Sequence, residues 1–278
     1  MEDFARHMKK ITIITVSYND INNLKKTVAS ISGQLIDDIE YLIIDGGSED
    51  GTKKYLHELD SKVIWISEPD TGIYNAMNKG IRAASGEWIW FVNAGDCLIK
   101  GSIQCVLANL GDSEDCLVGK VLETFEFSGD LYGKEIEIDR KLDNLRKGMI
   151  FSHQGLICKK DGLVKVNFFD ETLKIAADWD LIIRMWKEKV EFRFIDECIC
   201  TYDKFGVSYK PHLREVHQIR KKNSLYKYID CFLFFDVIRV LKRKIAYGIW
   251  GDDFKQLYIR RKRYLKLHRE VFLLDNPY

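Results

Sequence analysis

The sequence predicts an α/β fold with a doubly wound, mostly parallel sheet flanked by helices. Four apolar runs carry this prediction, at residues 11–16, 41–45, 62–67 and 87–93. Each run has the length and the β-branched or aromatic content of a buried strand. Helical patterns separate most of the runs, and such alternation is typical of a parallel sheet with helices on both faces.

Two helices are predicted between these strands. The first has Asn22 as its candidate N-cap and Gly33 as its end. Its apolar face is formed by Leu24, Val28 and Ile31. The second helix follows the third strand and has one apolar stripe and a closing glycine: Ile73, Met77, Ile81, Ala84 and Gly86.

Polar loops follow all four strands, at the carboxyl ends where ligands bind in open sheets of this type. The loop at residues 45–52 is rich in glycine, but it lacks the phosphate-binding glycine motifs and carries three carboxylates. A phosphate cradle is therefore rejected. Asp45 at its start suits a hydrogen bond to a neutral base or a ribose, and a plain turn before a helix explains the loop equally well.

Two later aspartates are candidates for chemistry. Asp96 ends the loop at residues 93–96, where a carboxylate could bind Mn²⁺ or Mg²⁺ bridging diphosphate oxygens. Asn, Gly and Asp are also common turn residues. Asp178 opens a predicted helix and could take a proton from an acceptor hydroxyl. The helix dipole alone would also favour acidic residues in that first turn.

Three further residues are weaker candidates for an acceptor site. His153 lies between two apolar runs, although a lone histidine is more often structural than catalytic. Trp179 and Asp180, which follow Asp178 directly, are the other two acceptor candidates.

Four segments occur in order along the chain: ITIITVSYND, YLIIDGGSEDGT, SEPDTGIYNAMNKGIRAASGEWIWFVNAGD, and SHQG followed by FFDETLKIAADWDL. Together they resemble glycosyltransferase family 2, the large inverting family with the GT-A fold. The resemblance spans roughly residues 11–205. Its most specific part, residues 67–96, is similar to enzymes of bacterial surface-polysaccharide and O-antigen assembly.

The resemblance implies a role for individual residues. Asp178 matches the catalytic base of the family, and Asp96 matches its metal-binding aspartate. Contacts to the nucleotide sugar are implied for a larger set: Thr15, Ser17, Tyr18, Asn19, Asp45, Asp70, Asn78, Asn93 and Gly95.

The chain departs from the commonest family pattern in two loops. Where many members have Asp-Asp-Gly-Ser, residues 45–48 are Asp-Gly-Gly-Ser. Where many have Asp-x-Asp-Asp, residues 93–96 are Asn-Ala-Gly-Asp. Both changes remove carboxylates near the diphosphate, so we expect modest metal affinity.

Charge is distributed unevenly along the chain. The formal net charge is only +1, yet residues 204–269 contain 18 Lys and Arg against 5 Asp and Glu. The resemblance implies a catalytic domain at residues 1–205, and the asymmetry predicts a basic amphipathic helical extension at residues 206–278. Such a segment can bind an anionic membrane surface, or it can pack as a helical cap with its charges in water.

The remaining features of the sequence concern cellular location and partners. There is no signal-peptide pattern and no apolar run of about 20 residues, and the seven cysteines lack metal-site or disulfide spacing. We expect reduced thiols and a cytoplasmic protein, peripheral on the inner face of the plasma membrane. A nucleic-acid partner is not expected, because the basic end has no recognised motif. A homodimer is compatible with the sequence.

The expected reaction is inverting transfer of a sugar from a nucleotide sugar, preferably UDP-linked, to a glycan acceptor linked to polyprenyl diphosphate. Two alternatives remain open at this point. One is a catalytically silent relative that binds a nucleotide sugar, and the other is a nucleotidyltransferase of related fold.

Overall fold

The computed structural model describes residues 9–127, 130–203, 212–225, 238 and 272–273, and within these residues ten strands form one mixed sheet. Its first half is parallel, in the order β3-β2-β1-β4. These strands are β1 (Ile11–Ser17), β2 (Ile39–Asp45), β3 (Val63–Ser67) and β4 (Trp88–Phe91). The four predicted strands are confirmed, and β1 and β2 are buried along their whole length.

Helices connect these strands: α1 (Ile21–Ser32), α2 (Thr52–His57), α3 (Ile73–Ala83) and, after β4, α4 (Ser102–Asn109). The N-cap predicted for α1 is wrong, because Asp20 occupies that position and Asn22 lies inside the first turn. Gly33 is the C-cap, as expected.

The stripe predicted on α3 is only partly right. Met77 and Ile81 are buried, but the side chain of Ile73 is 42% exposed. The helix ends at Ala83, so Gly86 lies beyond it and instead packs on the backbone at Thr12.

The second half of the sheet is largely antiparallel. Its strands are β5 (Cys97–Leu98), β6 (Cys116–Phe127), β7 (Asp130–Ile136), β8 (Leu156–Lys159), β9 (Phe192–Asp203) and β10 (Phe272–Leu273). β8 lies between β4 and β6 and runs antiparallel to both, and β9 pairs with β5 and β6.

Short helical elements join these strands. They are 3-10 turns at Leu142–Arg146 and His153–Gly155, α5 (Lys160–Lys165), α6 (Ala177–Lys187) and α7 (Leu213–Lys222). α6 begins where the sequence predicts a helix. α7 falls within the predicted extension, most of which lies outside the described residues.

Apolar side chains fill both faces of the sheet, in two clusters. α3 packs closely on the parallel strands because Gly80 has no side chain, and a Cβ there would lie 2.7 Å from Cγ2 of Ile14. Ile219 of α7 is buried in the cluster that contains α6. Among the described residues, no helix is both long and apolar enough to cross a membrane, and the six cysteines they include are free thiols.

Candidate functional site

The candidate site lies at the carboxyl ends of the parallel strands, where β2 and β4 flank β1 and the chain order switches. A cavity of about 330 Å³ opens beside this edge. Four residues predicted from the sequence line it together: Asn93, Asp96, His153 and Asp178.

The end of β1 carries three of the predicted nucleotide contacts. Tyr18 is 63% exposed, so its ring is a free stacking surface. The hydroxyl of Ser17 is buried and has no hydrogen-bond partner among the described residues. Asn19 has a positive φ of 49°, and its side-chain oxygen accepts a hydrogen bond from the Glu49 N–H at 2.8 Å. This contact fixes the turn that presents Tyr18.

Asp70 approaches the same place from the loop after β3. A Cβ on Gly46 would lie 2.4 Å from Oδ2 of Asp70 and 3.1 Å from the ring of Tyr18. Gly46, where many family members have a second aspartate, therefore leaves room for the carboxylate of Asp70. Asp70 is held there by the Gly72 N–H, which donates to its Oδ1 at 2.9 Å.

Three predicted nucleotide contacts are instead buried within the protein. Thr15 is fully buried, and its hydroxyl donates to the carbonyl of Val92 at 2.7 Å. Asp45 is also fully buried, and its carboxylate accepts hydrogen bonds from Ser67 at 2.7 Å and from Ser48.

Asn78 is the third of these residues. It is 2% exposed and hydrogen-bonds the backbone of Phe169 in both directions, at 3.0 Å each, and Glu171 at 2.8 Å. The side chains of Thr15, Asp45 and Asn78 thus have protein partners in this structure, and their contacts with a nucleotide stay a prediction.

Asp178 lies in the first turn of α6 and faces the cavity. Its Oδ1 accepts the N–H of Trp179 at 2.8 Å, and its Oδ2 is 3.3 Å from Nδ1 of His153. The other ring nitrogen of His153 is 3.4 Å from the amide nitrogen of Asn93. His153 thereby connects the candidate base with the loop of residues 93–96.

The pKa values of Asp96 and His153 differ from the ordinary values of these side chains. Burial raises the pKa of Asp96 to about 7, against the opposing effect of the His153 charge. Burial lowers the pKa of His153, but the hydrogen bond and charge of Asp178 and the charge of Asp96 outweigh it, and the net shift is upward. A positive charge near Asp96 would favour its ionised form.

The loop of residues 93–96 fits a divalent cation through hard oxygen ligands. Asp96 offers a carboxylate, and the buried side-chain oxygen of Asn93 has no partner among the described residues. Thr27 of α1 fixes the loop. Its hydroxyl donates to the carbonyl of Asp96 at 2.7 Å and accepts from the N–H of Gly95 at 3.0 Å.

No group of three or more His, Cys, Asp or Glu residues in the described part of the chain is arranged to hold a metal ion. The donor set therefore suits a cation that takes its other ligands from substrate phosphates and water, as Mg²⁺ commonly does.

Two of the acceptor candidates, Trp179 and Asp180, are buried. Trp179 is 3% exposed, and its indole N–H donates to the carbonyl of Leu145 at 2.9 Å. Asp180 is fully buried in a charged network with Arg184 and Lys222, at 2.8 and 3.2 Å. Neither side chain lines the cavity, because both point from α6 into the protein while Asp178 points out. A role for them in acceptor binding stays a prediction.

The sequence interpretation missed several residues of the cavity wall. Tyr74 is buried, and its hydroxyl donates to the carbonyl of Ile175 at 2.7 Å. Asp203 ends β9 beside Asp96, and its charge raises the pKa of Asp96. A polar residue after the apolar run CICTY was a signal that could have pointed to Asp203. The exposed apolar residues Ile73 and Met149 gave no such signal.

The chain is similar in sequence to known glycosyltransferases. The sequence model described as Glycosyl transferase family 2 matches residues 12–169, more than half of the chain. An uncharacterized glycosyltransferase of Mycobacterium tuberculosis is 30% identical over 232 residues, which cover 78% of this chain and 84% of that relative.

Two solved structures have a similar fold. A mannosyltransferase from Pyrobaculum calidifontis, in complex with GDP-Man and Mn²⁺, has a TM-score of 0.60 at 16% identity and is matched over 92% of this chain and 80% of its own. Residues 1–349 of TarS from S. aureus, in complex with UDP-GlcNAc, have a TM-score of 0.61 at 14% identity, over 86% and 73% of the two chains. These likenesses confirm the GT-A type of fold.

Proposed function

The chain belongs to glycosyltransferase family 2, a family of inverting enzymes that use nucleotide sugars, and on that premise we propose that it transfers a sugar from a UDP-linked donor to a hydroxyl of a lipid-linked glycan. The observation that carries the proposal is the cavity of about 330 Å³ at the switch point of the sheet. It brings a candidate base, Asp178, and a candidate metal ligand, Asp96, to one space large enough for reacting sugars.

On the donor side, the exposed ring of Tyr18 stacks on the nucleobase. Ser17, with its unpartnered hydroxyl, and Asp70 offer polar contacts beside it. The choice of UDP is supported by TarS, which binds UDP-GlcNAc, whereas the mannosyltransferase binds GDP-Man. A donor screen must therefore include both nucleotides.

Asp96 and Asn93 would hold Mn²⁺ or Mg²⁺ on the donor diphosphate. Bound there, the cation would supply positive charge that stabilises the departing nucleoside diphosphate. The mannosyltransferase structure contains Mn²⁺, and the small donor set here supports a site that is completed only when the donor is bound.

Asp178 removes the proton from the acceptor hydroxyl as that oxygen attacks the anomeric carbon, and the configuration inverts. His153 contacts Oδ2 of Asp178 and orients the carboxylate. The N–H of Trp179 bonds to Oδ1, and the carboxylate has further lone pairs that can accept the proton.

For the acceptor, we propose a glycan linked to polyprenyl diphosphate at the inner face of the plasma membrane. The support is the excess of Lys and Arg over residues 204–269, interspersed with aromatic and aliphatic residues. Co-sedimentation of the protein with anionic vesicles at low salt tests this part. Equal recovery with neutral and anionic vesicles would contradict it.

The central test is a donor screen with purified protein, using UDP-glucose, UDP-galactose, UDP-GlcNAc and GDP-mannose with Mn²⁺ or Mg²⁺. Slow release of nucleoside diphosphate from one donor identifies the sugar. In a separate reaction supplied with a nucleoside triphosphate and a sugar 1-phosphate, release of pyrophosphate would instead identify a nucleotidyltransferase.

Two variants separate the proposed roles in that screen. Asp178→Asn should still bind the donor but lose turnover, because the amide cannot take the proton. Asp96→Ala should lose metal-dependent binding of UDP. An Asp178→Asn variant with near-normal turnover would exclude Asp178 as the base.

A further inference from the structure

The segment that carries Asp178 is held by a residue far along the chain. The N-cap of α6 is Ala176, whose side chain cannot cap a helix. Immediately before the helix, the carboxylate of Glu215 in α7 accepts three backbone N–H groups, from Lys174 at 2.8 Å, Ile175 at 2.9 Å and Ala176 at 3.0 Å.

α7 contacts the chain again on the other side of Asp178. The guanidinium of Arg220 lies over the ring of Trp179, 5.9 Å from its centroid. The amide of Asn223, just after α7, donates to Oδ1 of Asp180 at 2.8 Å. The contacts of α7 therefore flank Asp178 before and after it in the sequence, while Asp178 itself faces the cavity.

We propose that Glu215 is a positioning residue for the transfer reaction, acting through the backbone of residues 174–176 to set the place of Asp178. This inference rests on the proposed function of Asp178 as the base. Hydrogen bonds from backbone N–H groups to a carboxylate are stronger than those between neutral groups, and a small displacement of a reacting group is costly for turnover.

The held segment is also part of the cavity wall. Ile175 has its N–H bound by Glu215 and its carbonyl bound by the hydroxyl of Tyr74 at 2.7 Å. Lys174, Ile175 and Tyr74 all line the cavity with Asp178. Both peptide groups flanking Ile175 are thus fixed where an acceptor must fit against the base.

Removal of the Glu215 charge should loosen this segment without detaching α7. Ile219 remains buried in the core cluster, and the contact between Asn223 and Asp180 does not involve Glu215. Glu215→Gln keeps the length of the side chain but replaces one acceptor oxygen with an NH₂ group, so one or two of the three bonds are lost. Glu188→Gln is the matched control, because Glu188 is an exposed glutamate at the other end of α6.

The first measurement is amide hydrogen exchange of full-length protein, which needs no substrate. We expect the amides of residues 174–176 to exchange at least tenfold faster in Glu215→Gln than in Glu188→Gln, with the sheet unchanged. The second is release of UDP or GDP from the donor hydrolysed fastest in the screen above. We expect kcat to fall roughly tenfold to hundredfold, with the Kd for Mn²⁺ and nucleoside diphosphate within twofold of the control.

Unchanged exchange at residues 174–176, or a kcat equal to that of Glu188→Gln, would overturn the proposal. A Kd that rises together with a general loss of protection would also overturn it, because it would indicate unfolding rather than positioning. Asp178→Asn, measured in parallel, distinguishes the two hypotheses. If that variant stays active while Glu215→Gln is impaired, the base assignment is wrong and Glu215 does not act through Asp178.

Discussion

Replacement of Asp180 by alanine is expected to destabilise the protein by about 3 kcal/mol. The carboxylate is fully buried and accepts bonds from Nε of Arg184 at 2.8 Å, Nδ2 of Asn223 at 2.8 Å and Nζ of Lys222 at 3.2 Å. The substitution removes the centre of this network and leaves Nε of Arg184 without its acceptor, whereas Lys222 keeps its bond to Asp170 and Asn223 keeps its bond to the Ile219 carbonyl.

The magnitude follows from the exposure of the partners. Breaking a buried ion pair on one side costs about 3–5 kcal/mol when the remaining charge stays dry. The side chains of Arg184 and Lys222 are 18% and 45% exposed, so water can solvate part of both charges. The lower end of the range is therefore expected, which corresponds to a fall in Tm of roughly 6–12 °C for a chain of this size.

Urea denaturation followed by circular dichroism measures the change, with Asp161→Ala as control. Asp161 is also an aspartate in a first helical turn, that of α5, but it is exposed. Its loss should cost at most about 1 kcal/mol, through the helix dipole. If Asp180→Ala is no less stable than Asp161→Ala, the network does not contribute as reasoned. Asp180→Ala combined with Arg184→Ala should cost less than the two single changes added, because they share one interaction.

Three further outcomes are expected. Gly80→Ala should lower stability by about 1–3 kcal/mol, because its Cβ would lie 2.7 Å from Ile14, and an unchanged Tm would contradict the close packing of α3. Tyr18→Ala should raise the Kd for the nucleotide by roughly 5- to 100-fold through lost stacking, whereas Tyr18→Phe should bind normally, both measured by calorimetry. Burial raises the pKa of Asp170, but bonds from Lys222 and Thr172 outweigh it and lower the pKa from 3.8 to about 2. The stability difference from Asp170→Asn should therefore be full above pH 4 and shrink as the pH falls toward 2, and a difference that is constant from pH 6 to pH 3 would refute the ion pair.

The parallel half of the fold could be predicted from the sequence because its strands are continuous apolar runs and its loops are polar. Because the strands are mostly apolar, the sequence did not show which polar side chains within them are bound inside the protein. All seven residues of β1 are buried, so burial does not mark one face of the strand. Nothing in the sequence distinguished Thr15, whose hydroxyl bonds the Val92 carbonyl, from Ser17, whose hydroxyl has no partner among the described residues.

The candidate site could be predicted where chemistry and position coincide in a short segment, as for Asp96 and Asp178. It could not be predicted where a contact joins distant segments. Glu215 is 40 residues from Ile175 in sequence, and an isolated glutamate in a basic helix gives no sign of the backbone groups it binds. The burial of Asp180 depends on the same packing of α7, through Lys222 and Asn223. No residue near Asp180 in the sequence indicated that its side chain would be buried.

The cavity lies along the seam between the parallel and the antiparallel halves of the sheet. The proposed donor contacts all come from residues 17–96, whereas the opposite wall comes from residues 149–203 and is braced by α7. The family sequence match ends at residue 169, before Asp178. In the proposed function, recognition of the two substrates is therefore divided between two stretches of one chain, and we expect substitutions in the later stretch to change acceptor preference without altering the nucleotide pocket.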